Sequence, residues 1–560
     1  MLFARLGDLP LRDPDEGRNT EVAREMQAAG SWLTPTYNGI VCLDKPAFFF
    51  KTVGISMSLF GESEAAARLP SALFALGILA MVFGFCRREY DLRTAALAVM
   101  VVATTPLFFA LGRHVISDMT LGFFVCGAIF SGYFAETAEG AKRAWLYRLG
   151  AAMAGVATLV KGPVGFLLPI LTLGALNILE KRAGWWKRVF HPLNFLIFLG
   201  VTLPWFIGVS QLHPDYPRYG LLEESFRRYT TGAFRRTGPI YYYALVILGG
   251  IFAWSILLPG AAKAAWQARE KWSRADKLLI VWAIAVVTFF SLSRSKLPTY
   301  ILTALVALAI LTARLFARAF ENTTGKAASV VFRSLGPLIA VTLLLGIFLL
   351  INIWFPEAHR TVFHIRGNEF SRVALTFPRA TALLLLVAGV ATAAWRLRDM
   401  RIAFATFLVV PLWMITFGFG ALMDYSEASS TRLLVERIDA AAPKTEVACL
   451  ESFANGLPFY LKRPVTVISA SGREFSSNYI VYTLNRTGQW PPTLVPLAER
   501  DRWLDSRAQP VYLIGTDRVR TQLECIARDR GREITQLTPR WWGVLLPPSP
   551  YGPALSAQTR

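Results

Sequence analysis

Apolar runs long enough to cross a membrane recur along most of this 560-residue chain, and they limit its possible folds more than any other feature. A helix needs about 20 apolar residues to cross the hydrocarbon core of a bilayer. The chain is 54% hydrophobic and only 17% charged. The pattern predicts a polytopic α-helical membrane protein with about 12 spans, of which two are short enough to be tilted or re-entrant. The spans are expected near residues 69–86, 94–112, 119–135, 149–160, 163–180, 193–210, 241–260, 278–292, 297–313, 335–354, 379–395 and 402–420.

The apolar runs stop near residue 421, and a mixed polar segment continues to Arg560. We therefore predict a transmembrane domain over 1–420 and a soluble α/β domain over 421–560. In the second domain, helices fit near 431–440 and 517–528. Strands are expected at 446–449, 465–468, 479–484, 511–514 and 541–546. Cys449 and Cys525 lie in this segment and are either free or joined by a disulfide. Neither the five cysteines nor the five histidines have metal-ligand spacing, so no metal site is predicted.

The basic residues indicate the orientation of the chain in the membrane. Alternate loops carry three to five Lys or Arg residues each, at 87–93, 142–148, 181–188, 263–277, 314–333 and 396–401. Because short basic loops stay in the cytoplasm, much of the net charge of +21 is a topology signal rather than an affinity for nucleic acid. The outer face then receives residues 1–68, the loops near 113–118, 211–240, 293–297 and 355–378, and the C-terminal domain.

The densest charged segment, residues 13–18, begins this outer face. Pro14 favours a turn, and Asp15 precedes a helix expected to begin near Thr20. Arginines and glutamates should take one face of that helix, and apolar residues the other: Val22, Ala23 and Met26. The pattern is typical of a short helix on a membrane surface, although a capped helix whose acids only balance its arginines fits equally well. Only 14 residues precede Asp15, too few to cross a bilayer, so we expect a first span upstream of this start.

Three further outer segments combine cations or acids with chain breaks. Lys45, in Asp-Lys-Pro beside an aromatic run, either snorkels to the interface or binds a lipid phosphate. Asp118 should emerge on the same face as Asp15, where it caps the next helix, serves in catalysis, or does both. Lys161-Gly162-Pro163 interrupts an apolar segment, and a lysine at that depth needs an anionic partner or water.

Two later outer loops are unusually basic. The loop 211–240 is either an amphipathic surface helix on anionic lipid or a phosphate site, since arginine forks match phosphate oxygens. Lys296 and Tyr300 lie in the next loop, at the ends of two spans. Basic residues from five outer segments, with two acids among them, predict a site for phosphorylated lipids with carboxylates available for the chemistry.

In order along the chain, these motifs resemble the membrane-embedded GT-C glycosyltransferases. The resemblance is carried by Asp15-Glu16-x-Arg18, Asp44-Lys45-Pro46, Asp118 and Lys161-Gly-Pro. Segments 224–229 (ESFRRY), 234–239 (FRRTGP) and 295–302 (SKLPTYIL) are similar to the aminoarabinose transferase (ArnT) branch of that family. The resemblance covers the membrane domain, and it extends to having a C-terminal domain on the outer side. The chain departs from the branch at Ser225, where a histidine is expected, and before Arg12, where the first transmembrane helix is expected.

The resemblance implies transfer of 4-amino-4-deoxy-L-arabinose from undecaprenyl phosphate to lipid A phosphates, which confers polymyxin resistance. It makes Asp15 the leading catalytic carboxylate, with Asp118 assisting and Glu16 a further candidate. Lys45 and Arg228 would hold the donor phosphate. Additional donor-phosphate candidates are Lys161, Lys296 and Tyr300. Candidates for the acceptor are Arg18, Arg227, Arg235 and Arg236.

The implied partners are the polyprenyl-phosphate donor, lipid A and membrane lipids, with no nucleic acid and no obligatory cofactor or metal. The implied protein is a monomer of the bacterial inner membrane whose active site and C-terminal domain face the periplasm. Other transfers stay open: a hexosamine or uronic acid to lipid A, or a mannose to protein hydroxyls. A lipid-carrier flippase is a further alternative, although its acids should follow a path through the membrane rather than meet at one face.

Overall fold

The computed structural model describes residues 1–231, 237–354 and 377–549, and it divides the chain into two compact units. The first unit contains residues 1–3, 71–208 and 221–424. The second contains residues 4–70, 209–220 and 425–560. Residues 4–70, predicted to belong to the transmembrane domain, cluster in the structure with the C-terminal segment. The predicted outer loop 355–378 lies almost entirely outside the described residues.

The first unit is built from helices joined by short turns. Several long helices contain an internal proline, which transmembrane helices tolerate. The α-helices between residues 64 and 429 are Glu64–Glu89, Leu92–Ala103, Pro106–Gly112, Ser117–Ala135, Gly140–Lys161, Val164–Leu179, Trp185–Val189, Pro192–Leu212, Tyr216–Arg218, Arg228–Thr230, Tyr242–Gly250, Leu258–Gln267, Arg274–Leu292, Leu302–Glu321, Lys326–Trp354, Phe377–Leu397 and Met400–Ser429. Of these, Tyr216–Arg218 belongs to the second unit. A π-helix at Tyr219–Arg227 and 3₁₀ turns at Trp254–Leu257, Arg269–Lys271 and Pro298–Ile301 complete this range.

Eight helices within the described ranges are long and apolar enough to cross a membrane, or up to ten if each of two bent pairs forms one span. The bent pairs are Leu92–Ala103 with Pro106–Gly112, at 70°, and Tyr242–Gly250 with Trp254–Gln267, at 117°. These ten correspond to ten of the predicted spans. The remaining two predictions, 149–160 and 163–180, fall on Gly140–Lys161, which does not meet this criterion, and on Val164–Leu179, which is shorter than 18 residues.

Ion pairs join the basic loops of the first unit to one another. Each pair links two different loops among those predicted to face the cytoplasm. The pairs are Arg188–Glu136 at 2.8 Å, Arg274–Glu180 at 3.1 Å and Arg318–Asp276 at 2.9 Å. The hydroxyl of Tyr90 adds a fourth link by donating to Asp276 at 2.9 Å. These loops therefore share one end of the helical unit, as the alternation of basic residues predicts.

A six-stranded sheet forms the core of the second unit. Its strands are β3 (Glu446–Leu450), β4 (Thr466–Ser469), β5 (Leu494–Pro496), β6 (Val511–Thr516), β7 (Thr535–Thr538) and β8 (Trp541–Leu546). The order is β5-β4-β3-β6-β8-β7, parallel from β5 to β6 and antiparallel beyond it. A short hairpin, β1 (Thr36–Tyr37) with β2 (Ile40–Val41), lies in the N-terminal part of the same unit. The second unit is thus an α/β domain with an N-terminal addition.

The helices of the second unit come from both ends of the chain. They are Asp15–Ala28, Phe48–Phe60, Thr431–Ala441, Leu457–Leu461, Asn478–Thr487, Arg500–Asp505 and Arg520–Asp529, with 3₁₀ turns at Arg473–Phe475, Leu497–Glu499 and Asp517–Val519. The predicted strand 479–484 is wrong, because this segment is a helix. Ser477 caps its N-terminus by accepting from the amide of Ile480, and Gly488 ends it in a left-handed conformation.

The helix Asp15–Ala28 is packed inside the second unit. Val22, Ala23 and Met26 are buried, as predicted, but Glu16 and Glu21 are fully buried too. Their charges are satisfied internally, by Arg68 at 2.8 Å and by Arg24 at 2.7 Å. The expectation of one charged, exposed face is therefore wrong, and the helix is a core element rather than a helix lying on a membrane surface.

Gly165 brings the two helices around the Lys161-Gly162-Pro163 break into backbone contact. A Cβ on Gly165 would lie 2.3 Å from the backbone of Ala157 and Thr158. We predict that Gly165→Ala forces these helices apart and lowers stability by about 1–3 kcal/mol. Gly84→Ala is the matched control, because a Cβ there meets nothing within 4 Å. Thermal unfolding of the detergent-purified variants measures both effects, and equal melting temperatures would contradict the prediction.

All five cysteines are unpaired, so the disulfide considered for Cys449 and Cys525 is not formed. Cys525 is exposed and the other four are buried. Burial also raises the pKa of the Cys42 thiol to about 12, which keeps it protonated and unreactive. We predict that a maleimide labels the native protein at one site, and that Cys525→Ser abolishes the labelling. The intact mass gives the stoichiometry, and labelling of the serine variant would contradict the assignment.

Candidate functional site

In the first unit, Asp118 and Lys161 form an ion pair at the ends of two neighbouring helices. The ammonium of Lys161 lies 2.6 Å from Oδ1 of Asp118, and their side chains are 14% and 5% exposed. Asp118 is in the first turn of Ser117–Ala135, and Lys161 is the last residue of Gly140–Lys161. Each charge therefore complements the dipole of its own helix. The predicted need of Lys161 for an anionic partner is met by this carboxylate.

Tyr300 and Arg228 extend this pair into a larger polar group. The ring of Tyr300 lies 4.8 Å from the ammonium of Lys161, in cation–π geometry. Nη2 of Arg228 donates to the hydroxyl of Tyr300 at 2.9 Å, and Nη1 of Arg228 pairs with Glu224. We call Asp118, Lys161, Tyr300, Arg228 and Glu224 the first polar cluster. It unites four of the predicted site residues, from four segments predicted to face outward, and supplies two cations, the charge that a phosphate requires.

In this structure, Lys296 donates hydrogen bonds to backbone carbonyls. Its side chain is almost fully buried, and its ammonium donates to the carbonyls of Ser291 at 2.7 Å and Ser293 at 2.6 Å. A third carbonyl, that of Phe290, lies 3.5 Å away. These carbonyls belong to the last turn and the C-cap of Arg274–Leu292, where a cation is favourable. Lys296 thus closes this helix end.

The other predicted arginines of the loop 211–240 differ in their surroundings. Arg227 is 54% exposed and pairs with Glu223 one helical turn away at 2.7 Å. Surface pairs of this kind contribute little to stability. Arg235 and Arg236 lie outside the described residues.

In the second unit, Asp15 and Arg18 form the candidate centre. Nη2 of Arg18 lies 2.8 Å from Oδ1 of Asp15, whose side chain is 43% exposed, while that of Arg18 is 12% exposed. Burial opposes the charge of Arg18, but the carboxylates of Asp15 and Asp44 outweigh it, so the pKa of Arg18 lies above its ordinary value. Asp15 is thus a carboxylate open to a ligand and oriented by a permanent cation.

Aromatic side chains and a helix N-terminus surround Asp44 in the same unit. Its Oδ1 accepts from the hydroxyl of Tyr219 at 3.0 Å and from the amide of Tyr479 at 2.8 Å. The two rings pack edge to face at 4.9 Å, and the Tyr479 hydroxyl donates to Asp215 at 3.3 Å. Lys45, next in the chain, is half-buried. Nothing in the local sequence distinguishes Tyr219 or Tyr479 from other interface tyrosines, so the sequence gives no signal for either of them.

Glu16 has a different position from its neighbour Asp15. Its side chain is fully buried, both oxygens accept from Arg68 at 2.8 Å, and Oε2 also accepts from the amide of Arg12 at 3.0 Å. A carboxylate held in this way stabilises the segment before the helix. It is not accessible to a ligand. The sequence motif therefore contains one exposed and one buried acid.

Asp13 is a polar residue of this segment for which the sequence predicts no role. Its Oδ2 accepts from the hydroxyl of Thr431 at 2.8 Å, and its Oδ1 from the amide of Gly456 at 2.9 Å. Within the described part of the chain, no group of three His, Cys, Asp or Glu side chains could hold a metal ion.

Known proteins resemble this chain over different parts of its length. The family model described as dolichyl-phosphate-mannose-protein mannosyltransferase matches residues 44–207. The chain is 31% identical over 307 residues to an undecaprenyl phosphate-alpha-4-amino-4-deoxy-L-arabinose arabinosyl transferase of Edwardsiella ictaluri, covering 54% of this chain and 55% of that protein. A protein of the same name from Shewanella sediminis is 32% identical over 328 residues, covering 57% and 58%. The chain thus spans little more than half the length of these curated relatives.

The structural likeness covers nearly the whole chain. The crystal structure of ArnT from Cupriavidus metallidurans bound to undecaprenyl phosphate matches with a TM-score of 0.79 and 26% identity, over 97% of this chain and 95% of that one. The chain therefore has the fold of this ArnT, that of the GT-C glycosyltransferases. The apo form of the same ArnT matches with a TM-score of 0.77. The resemblance inferred from the motifs is confirmed, together with the predicted polytopic helical fold and its C-terminal sheet domain.

Proposed function

We propose that this chain is a glycosyltransferase of the bacterial inner membrane. It moves 4-amino-4-deoxy-L-arabinose from undecaprenyl phosphate to the phosphate groups of lipid A and so confers resistance to polymyxin. The observation that carries the proposal is the nearly full-length likeness to an ArnT structure bound to undecaprenyl phosphate. The first polar cluster supports it, since its two cations suit a lipid phosphate.

The proposed reaction is a direct displacement at the anomeric carbon of the sugar. An oxygen of the lipid A phosphate forms the new bond to this carbon while the bond to the carrier phosphate breaks, so the configuration inverts. The electron pair of the broken bond leaves on undecaprenyl phosphate. Because the acceptor phosphate is already anionic, it needs positioning more than deprotonation. Arg228, assisted by Lys161 and Tyr300 of the same polar cluster, stabilises the negative charge that develops on the leaving phosphate.

Asp15 has the orienting role in this scheme. Its exposed carboxylate, held by Arg18, positions the amine of the sugar or the acceptor. The active site and the C-terminal domain then face the periplasm, on the side opposite the basic loops.

We predict that Asp15→Asn abolishes addition of the aminopentose to lipid A. Asn keeps the shape of the side chain but removes its charge. Asp8→Asn is the matched control, because Asp8 also pairs with an arginine three residues away, Arg5, and is 39% exposed. Each variant is expressed in a polymyxin-sensitive strain that lacks its own transferase, and lipid A is analysed by mass spectrometry. Unmodified lipid A from the unaltered chain, with donor available and good expression, would overturn the proposed function.

A second prediction concerns the donor phosphate. Arg228→Lys keeps the charge but loses the fork that reaches Tyr300 and Glu224, so we expect kcat/KM for the lipid donor to fall about tenfold or more. Arg294→Lys is the control, since Arg294 is exposed in a neighbouring loop. Transfer by purified protein at varied donor concentration measures both. Equal losses in the two variants would remove Arg228 from the phosphate site.

The match to the mannosyltransferase model over residues 44–207 favours a second candidate, transfer of a hexose to protein hydroxyls. A hydroxyl acceptor would need Asp15 as a general base. Envelope proteins from the same cultures distinguish the two: hexose on proteins with unmodified lipid A would select this alternative.

A further inference from the structure

Residues from the two ends of the chain meet at Asp13, two positions before Asp15. The carboxylate of Asp13 bridges the first residue of Thr431–Ala441, through the Thr431 hydroxyl, and the turn before Leu457–Leu461, through the amide of Gly456. Both partners lie more than 400 positions away along the sequence. We call Asp13, Thr431 and Gly456 the Asp13 junction. It ties the start of the Asp15 helix directly to the C-terminal domain.

The helix start is held closely at this junction. A Cβ on Gly17 would lie 2.4 Å from Oδ1 of Asp13 and 2.5 Å from the amide nitrogen of Gly456, so only glycine allows this approach. The helix has no side-chain cap of its own. Its first turn is therefore positioned from outside, by Asp13 and by the backbone around Gly456.

A second contact acts on the partner of Asp15. Nη1 of Arg18 donates to the carbonyl of Ser476, also in the C-terminal domain, while Nη2 holds Asp15. The domain thus contacts this segment at Asp13 and at Arg18, which lie before and after Asp15 in the sequence. Contacts at one site alone would allow the helix to rotate, whereas two restrict the direction in which Asp15 points.

We propose that Asp13 is a positioning residue for Asp15, and that the C-terminal α/β domain takes part in transfer by fixing this carboxylate. The inference rests on the proposed function, because transfer is its kinetic readout. Asp13 acts through its hydrogen bonds. Asn can keep both of them, with its carbonyl accepting from Gly456 and its amide donating to the Thr431 hydroxyl.

Two Thr→Val substitutions provide a matched comparison. Thr431→Val removes a hydrogen bond of the Asp13 junction. Thr493→Val removes a bond of similar kind, from the Thr493 hydroxyl to the carbonyl of Asn38 at 2.9 Å, which also joins the N-terminal segment to the C-terminal domain. Both changes keep the shape of the side chain. A general loosening of the unit would affect both variants, whereas the positioning of Asp15 depends on Thr431 alone.

The experiment measures transfer by the purified full-length chain with lipid donor and lipid A, with rates normalised to the folded fraction. Because misplacing a catalytic group by about 1 Å can cost on the order of 100-fold in rate, we expect Asp13→Ala to lower kcat by about 10- to 100-fold. Thr431→Val should lower it by a smaller factor. In both, KM for the donor should stay within about twofold. Asp13→Asn should recover kcat to within about threefold of the unaltered chain, and Thr493→Val should match it.

Hydrogen exchange at residues 15–18 provides a readout that does not depend on the sugar. Asp13→Ala and Thr431→Val should speed exchange there, and Thr493→Val should not. The proposal is overturned if Asp13→Ala leaves kcat unchanged, if Asn fails to restore it, or if Thr493→Val has the same effect as Thr431→Val. If the unaltered chain transfers no aminopentose, the proposed function fails, and the exchange data still decide whether the Asp13 junction positions the helix.

Discussion

The guanidinium of Arg68 is buried at the N-terminal segment, and each of its five N–H bonds has an acceptor. Nε and Nη2 donate to the two oxygens of Glu16 at 2.8 Å, and the remaining bonds go to the carbonyls of Leu6, Leu9 and Pro10 at 2.6–3.0 Å. A buried charge is tolerated only when it is paired and fully hydrogen-bonded. This arrangement fixes the direction of Glu16, and because successive helical residues are about 100° apart, Asp15 points elsewhere and remains accessible.

In the first polar cluster, poorly hydrated charges at the ends of apolar helices are likewise paired. Lys161 pairs with Asp118 and Arg228 pairs with Glu224, so each cation has an acid of its own. Isolated cations there would carry a large desolvation cost. Paired cations keep the unit stable without a ligand, and a lipid phosphate would compete with the acids for them. Tyr300 contacts both cations and couples the two pairs.

The contacts of the second unit give the C-terminal domain a physical role. Segment 4–70, which contains the hairpin, and segment 425–549, which contains the sheet, are joined by hydrogen bonds. These include a reciprocal pair between the side-chain amide of Asn38 and the backbone of Val465. The candidate carboxylate Asp15 is therefore part of the unit that contains the α/β sheet.

Several features of the chain follow from local sequence alone. The apolar runs predicted the helical membrane fold, the alternation of basic residues predicted which loops share one end, and Lys-Gly-Pro predicted a helix break with a partnered lysine. Asp118 and Lys161 could be identified as candidates because they lie at breaks between apolar segments, whereas the phosphate roles of Arg228 and Tyr300 were implied by the family resemblance. These signals lie within a few residues of the positions they describe.

Other features depend on partners far away in the sequence. The motif Asp15-Glu16 does not tell which acid is buried, since this depends on Arg68, 52 residues later. The backbone role of Lys296, the helix at Asn478–Thr487 and the assignment of residues 4–70 to the second unit were likewise decided by tertiary packing. Propensity and hydropathy describe a residue in its local segment, whereas burial and ion pairing are settled by which segments pack together. For this reason the type of the site could be predicted from the sequence, but the orientation of its carboxylates required the folded chain.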